Sequence, residues 1–268
     1  MQTPPVALTI AGSDNSAGAG AQADLKTFTA LGVYGLTAIT CVVAEVPGKV
    51  SAIAPVPPEI VAEQIRLSLS AFPVGAVKTG LLHSRAVIEA VCGALEDARP
   101  LLVVDPVMMS TSGVELLELD AMDAYRTLLL PMATLATPNL DEAAVLWGHA
   151  IASLPAMREA GRALCARFGC AFLIKGGHLK GKAVDLLVMT DGTMTEFSAP
   201  RIRGVSTHGT GCTLSAAITA GLVHGKPLAE AVAFAKEFVT RAIAEHYCWS
   251  GIYGEIHALN HHPDIRNQ

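Results

Sequence analysis

The 268-residue chain is poor in charge, poor in aromatics and free of basic clusters, and each lack removes a class of function. Only 16% of its residues are charged and 5% aromatic. A net charge of −5 with no run of Lys or Arg excludes a groove built to neutralise nucleic-acid phosphates. Scarce aromatics disfavour base-stacking platforms as well. No Lys or Arg precedes Lys26, so a secretory leader lacks its basic start. No apolar run is long enough to span a bilayer. The six cysteines, at 41, 92, 165, 170, 212 and 248, contain no C-x-x-C pair. That spacing indicates neither a zinc site nor a disulfide framework. No linker or internal repeat divides the chain. The expectation is a cytoplasmic protein with no nucleic-acid or membrane partner. His261 and His262 read as part of a solvated tail.

What is present suits an α/β enzyme. Half the residues (51%) are apolar, enough for one large domain over residues 1–268 with a sheet buried on both faces. Strand-like runs fall at 6–10, 36–43, 76–77, 101–104, 134–136 and 171–174. Between them lie helix-period segments, such as Val61, Ile65 and Leu69, or Val87, Ile88, Val91 and Leu95. Asp191-Gly192 reads as a hairpin turn between strands at 184–189 and 193–197. The alternation predicts a mostly parallel central sheet with helices on both faces, a three-layer α/β/α fold. In such sheets ligands bind outside the carboxyl ends of the strands.

The stretch Thr207-His208-Gly209-Thr210-Gly211-Cys212-Thr213 carries the most information. It opens a helix whose Leu214, Ile218 and Leu222 fall on one face, so the helix reads as amphipathic. Two glycines before a helix start let the backbone approach a ligand closely. The helix start adds unpaired N–H donors and positive dipole character, together a phosphate site. Cys212 sits in the first turn, where that field lowers a thiol pKa. The competing reading is a Gly-rich loop with Thr210 as an ordinary N-cap.

Other loops follow strands in the same way. Gly18-x-Gly20-x-x-Ala23 fits a dinucleotide-binding pattern, with Glu45 where a ribose-binding acid would stand. About seven residues separate the strand end from Gly18, and that gap demotes the reading. Asp14 after Ser13 suits a turn. Asn139 after Pro138 is a good N-cap, and Glu142 completes a capping box. Lys175 ends an apolar strand beside Gly176-Gly177, a position suited to phosphates. Lys78 is as consistent with packing as with contact. His178 and His208 can each satisfy a loop backbone.

The blocks combine into a resemblance. Gly209-Thr210-Gly211-Cys212 resembles the catalytic signature of the ribokinase superfamily. Its last position usually carries Asp, and Cys there resembles the hydroxymethylpyrimidine (phosphate) kinases of thiamin biosynthesis. Ala11-Gly12-Ser13-Asp14 with residues 18–26, Val77-Lys78-Thr79-Gly80, Asp105-Pro106-Val107-Met108, 137–142 and 173–178 match in the same order. The match covers roughly residues 6 to 247. Ala17 stands where Gly is usual, and Val46-Pro47-Gly48 replaces a more usual Asn-Thr turn.

The resemblance implies an ATP- and Mg2+-dependent kinase with a ribokinase-like fold. It implies phosphorylation of 4-amino-5-hydroxymethyl-2-methylpyrimidine and then of its monophosphate, by a homodimer. Asp14, Gly20, Glu45 and Val107 would orient the pyrimidine. Asp105, Asn139, Lys175 and Thr207 would meet ATP. Asp105 and Glu142 would organise the metal. Gly209, Thr210 and Gly211 would form the anion hole, and Cys212 would take the hydroxyl proton. A pyridoxal kinase on the same fold is the nearest alternative. A nonenzymatic pyrimidine sensor is a lower one.

Overall fold

The computed structural model describes residues 3–109, 116–118, 120–177, 183–202, 204–205, 208–252 and 254–262. Among these residues nine strands form one sheet: β1 (Val6–Asp14), β2 (Tyr34–Val46), β3 (Lys49–Pro55), β4 (Val74–Thr79), β5 (Leu101–Val104), β6 (Leu135–Ala136), β7 (Ala171–Gly176), β8 (Ala183–Val188) and β9 (Met194–Ala199). Their order is β3-β2-β1-β4-β5-β6-β7-β8-β9. The six strands from β2 to β7 in that order run parallel, while β3, β8 and β9 join antiparallel at the edges. Every parallel strand therefore delivers its carboxyl end to one edge of the sheet.

Helices cover both faces: α1 (Gly20–Ala30), α2 (Pro58–Ala71), α3 (Arg85–Leu95), α4 (Ala121–Ala124), α5 (Leu140–Trp147), α6 (Leu154–Phe168), α7 (Thr210–Val223) and α8 (Leu228–Ala244). Alternate strand residues explain the layering, because successive side chains point to opposite faces. Leu102 and Val104 pack with α2, α3, α5 and α6, whereas Val103 packs with α7 and α8. Phe172 and Ile174 face the first layer, and Ala171 and Leu173 face the second. Each large side chain buried this way contributes about 1.5–3 kcal/mol. Among the described residues no helix is long and apolar enough to cross a membrane.

Local chemistry sets the ends. Ser84 and Ser153 cap α3 and α6, accepting from Val87 N and Ala156 N. Gly148 and Gly169, both left-handed, end α5 and α6. Pro47-Gly48, with Gly48 at φ 88°, turns β2 into β3. A proline followed by a positive-φ glycine suits a type II turn. The unusual Val46-Pro47-Gly48 thus builds a hairpin at the sheet edge, and β3 is a strand the pattern did not announce.

Two expectations are corrected. The helix after the Gly-rich loop is not amphipathic: residues 213–222 are all buried. It lies between the sheet, α1 and α8, and a helix enclosed on every side has no polar face to display. His261 does not belong to a solvated tail either, while His262 beside it is exposed. His261 is buried, and its Nε2 lies 3.1 Å from Thr213 Oγ1 on α7. A further hairpin, β10 (Tyr247–Gly251) and β11 (Gly254–Ala258), precedes it.

Candidate active site

At the carboxyl edge, strand ends and the start of α7 converge. Asp105 follows β5 and is buried. Its Oδ1 accepts from Lys175 Nζ at 3.0 Å and from Thr137 Oγ1 at 3.2 Å. Its Oδ2 accepts from Ser215 Oγ on α7 at 3.3 Å. Burial opposes ionisation of Asp105, but Lys175 and Lys78 hold the carboxyl below the usual range. Lys175, near the end of β7, is desolvated as well, yet Asp105 and Glu142 raise its pKa. The pair stays ionised because each member supplies the other's counter-charge. A Cβ on Gly211 would lie 3.3 Å from Lys175 Nζ and 3.7 Å from Asp105 Oδ2, so the first turn of α7 abuts this pair.

Asn139 and Glu142 form a full capping box at α5: Glu142 N donates to Asn139 Oδ1 at 2.9 Å, and Asn139 N to Glu142 Oε2 at 2.7 Å. Capping places Glu142 beside the Asp105–Lys175 pair, since Asn139 bridges to Lys175 in parallel register. Burial, opposed by Lys175 and reinforced by Asp105, pushes the Glu142 carboxyl up to about 7. Two converging carboxylates beside one ammonium make a donor set that fits a hard divalent cation.

The N-cap of α7 is Gly209, not Thr210, which is the first helical residue. Gly209 takes φ 80°, and a Cβ there would stand 1.8 Å from Gly18 O. Only glycine allows both the left-handed turn and this contact between the two loops. The amides of the first turn have no intrahelical acceptor and point outward with the dipole.

Cys212 departs from expectation. Burial pushes its thiol up to about 11; Lys78 and a Gly20 backbone hydrogen bond pull it down, while Asp24 and Asp105 push it further up. Desolvation outweighs the helix field here. Lys78 is engaged by the protein itself. It is fully buried on β4 and donates to both oxygens of Asp24 at 2.9 and 2.7 Å, with Thr9 Oγ1 on Asp24 at 2.6 Å.

The first loop closes the site from the other side. Asp14 accepts from Ser16 N, Ser16 Oγ and Ala19 N at 2.7, 3.0 and 2.8 Å. His208 Nε2 lies 3.3 Å from its Oδ2. Asp14 is thus a turn residue that also meets the Gly-rich loop. Against burial, His208 and these donors lower its pKa. Glu45 is half-buried at the end of β2, with its amide donating to Asn15 Oδ1 at 2.7 Å. Burial and Asp14 raise its pKa, and His208 lowers it. Gly20 opens α1 at φ 60°, where a Cβ would stand 2.5 Å from Gly12 O. Ala17 holds φ 57°, a turn that a glycine would adopt without strain. Val107 packs against a cluster of Cys41, Val43, Leu81 and Leu116.

The structure thus gathers Asp105, Glu142, Lys175 and the start of α7 at one end of the edge, and Asp14, Gly20 and Glu45 beside Gly209 and His208. Thr207 and His178 lie outside the described residues. Sequence reasoning missed Ser215 and gave no role to Thr137 and Asp24, which it quoted only within matching blocks. Only Lys78, an uncharacteristic lysine in an apolar strand, hinted at the last.

A charged pair at a helix N-terminus, on the carboxyl edge of a doubly covered sheet, makes a phosphate site in an α/β fold of the ribokinase-like class. Comparison with known proteins narrows the class. The phosphomethylpyrimidine kinase family model matches residues 14–257. A hydroxymethylpyrimidine/phosphomethylpyrimidine kinase of Streptomyces coelicolor is 46% identical over 256 residues, 95% of this chain and 94% of that protein. The crystal structure of a Clostridium difficile phosphomethylpyrimidine kinase superposes with a TM-score of 0.80 at 39% identity, covering 89% of this chain and 99% of that one. An ADP complex of Bacillus subtilis pyridoxal kinase superposes at 0.89 with 37% identity, covering 99% and 100%. The chain belongs to the phosphomethylpyrimidine kinase family.

Proposed function

We propose that the chain transfers a phosphoryl group from ATP to the hydroxymethyl arm of 4-amino-5-hydroxymethyl-2-methylpyrimidine, and then a second to the resulting monophosphate, for thiamin biosynthesis. The observation that carries the reading is the ionised Asp105–Lys175 pair abutting the Gly211 turn of α7. Phosphoryl transfer asks the protein chiefly for positioning and for positive groups against developing charge. Lys175 supplies a cation that Asp105 and Glu142 keep protonated. The amides from Gly209 through Gly211 hold the transferred group, and Asn139 meets the ATP phosphates. Mg2+, held through Asp105 and Glu142, would neutralise phosphate charge. Cys212 takes the hydroxyl proton through its small ionised fraction. Glu45 accepts from the exocyclic amino group, while Asp14, Gly20 and Val107 frame the ring.

A pyridoxal or pyridoxine kinase is the second reading, favoured by the superposition of the Bacillus pyridoxal kinase over 99% of this chain. Both substrates are heteroaromatics with a hydroxymethyl arm. A nonenzymatic sensor would need neither the buried pair nor the anion hole. The test is a panel of the pyrimidine, its monophosphate, pyridoxal and pyridoxine, read by ADP release and product mass. Turnover confined to pyridoxal-type substrates would reverse the order of the readings, and no ADP release from any would remove both.

A further inference from the structure

Among the described residues, one group of three His, Cys, Asp or Glu side chains brings its ligand atoms within 4.8 Å of one another: Cys248, Glu255 and His257. It lies outside the candidate active site, on the β10–β11 hairpin. The antiparallel register explains the grouping. Cys248 pairs directly with His257, and Ser250 with Glu255. Side chains paired across an antiparallel ribbon share a face, as do residues two apart on one strand. Cys248 and His257 therefore face each other, with Glu255 one step along.

The geometry is near that of a coordinated ion. Cys248 Sγ lies 3.8 Å from His257 Nε2, which lies 3.7 Å from Glu255 Oε2. Tetrahedral zinc with ordinary bond lengths separates a sulfur and a nitrogen ligand by about 3.5 Å, and a nitrogen and an oxygen by about 3.3 Å. Those two separations close with movements of a few tenths of an ångström, and Cys248 and Glu255 offer their ligand atoms within 4.8 Å of each other. His257 is buried and stacked at 4.9 Å on His246, which holds its ring in place. Its Nδ1 is buried without a partner, so its polar contacts run through Nε2 toward Cys248 and Glu255. Cys248 and Glu255 are exposed, leaving an entry path.

We propose that Cys248, Glu255 and His257 bind one divalent ion of the zinc class. One thiolate, one imidazole and one carboxylate suit a borderline-soft tetrahedral ion, with solvent as the fourth ligand. Binding replaces the thiol proton by the metal and clips β10 to β11.

The test titrates Co2+ and Zn2+ into the full chain, stripped with a chelator and kept reduced with a phosphine. One equivalent of Co2+ should bring up a thiolate-to-cobalt charge-transfer band that Zn2+ abolishes. The band should vanish in Cys248→Ser and in His257→Gln, weaken in Glu255→Gln, and persist in Cys212→Ala. Far-UV circular dichroism checks that each variant is folded. Alkylation gives a variant-free reading: iodoacetamide should label the exposed Cys248 first, and Zn2+ should slow that labelling. A band that survives Cys248→Ser, no uptake near equimolar metal, or labelling indifferent to Zn2+ would overturn the proposal.

Discussion

A base that is mostly protonated leaves a signature in the pH profile, and Cys212 should show it. The thiol is pushed up to about 11 by burial. Its ionised fraction is then roughly 3 × 10⁻⁴ near pH 7.5 and roughly a hundred times larger near pH 9.5. The pyrimidine alcohol must lose a proton as its oxygen attacks phosphorus. Its phosphorylation rate should climb about tenfold per pH unit over that range. The monophosphate is a different nucleophile: its second pKa is near 6, so its oxygen is already anionic and its rate should stay flat. Cys212→Ala should slow the alcohol step by roughly 10²–10⁴-fold and leave the monophosphate step nearly intact, since a positioned base contributes about that much. The backbone anion hole survives the substitution and serves both steps. The assay measures each step separately, with purified substrate, saturating ATP and single-turnover readout. Equal losses in both steps, or parallel pH profiles in the unaltered protein, would sink the proton-transfer role and leave Cys212 a packing residue.

Three further outcomes follow from the same geometry. Lys175→Ala should lower kcat/KM for ATP by about 10- to 150-fold, the worth of a charge-assisted contact of about 1.5–3 kcal/mol, while calorimetric pyrimidine affinity holds; unchanged ATP kinetics would remove Lys175 from the site. Lys78→Met strands a buried carboxylate at Asp24 and should cost about 3–5 kcal/mol in urea unfolding, most of it restored in the Asp24→Leu/Lys78→Met double variant. Failure of the double variant to recover would place the cost in packing instead. Glu142 stands at about 7 in the fold against 4.5 ordinarily, so the native state binds the extra proton between those values. Its contribution to stability is full below about 4.5 and is lost as pH rises through about 7. Unfolding midpoints should fall across that window relative to Glu142→Gln, and coincident profiles for the two proteins would refute it.

Much was legible in the residues because it is local. The period-2 and period-3.6 patterns define the strands and helices, and strand–helix alternation permits little besides a parallel sheet covered twice. Gly209 and the Asn139–Glu142 box depend on a turn of backbone and on residues three apart, so they too read directly, although the cap shifted from Thr210 to Gly209. What distance in sequence conceals came from the tertiary structure. The Asp105–Lys175 contact spans 70 positions and Lys78–Asp24 spans 54. No local pattern encodes such pairs. Cys212 shows the same limit most sharply. Its place in a helix's first turn argues for a lowered pKa, but enclosure between loop, sheet and neighbouring helices raises it. A thiol's ionisation answers to the dielectric and charges around it in space, and those exist only once the chain has folded.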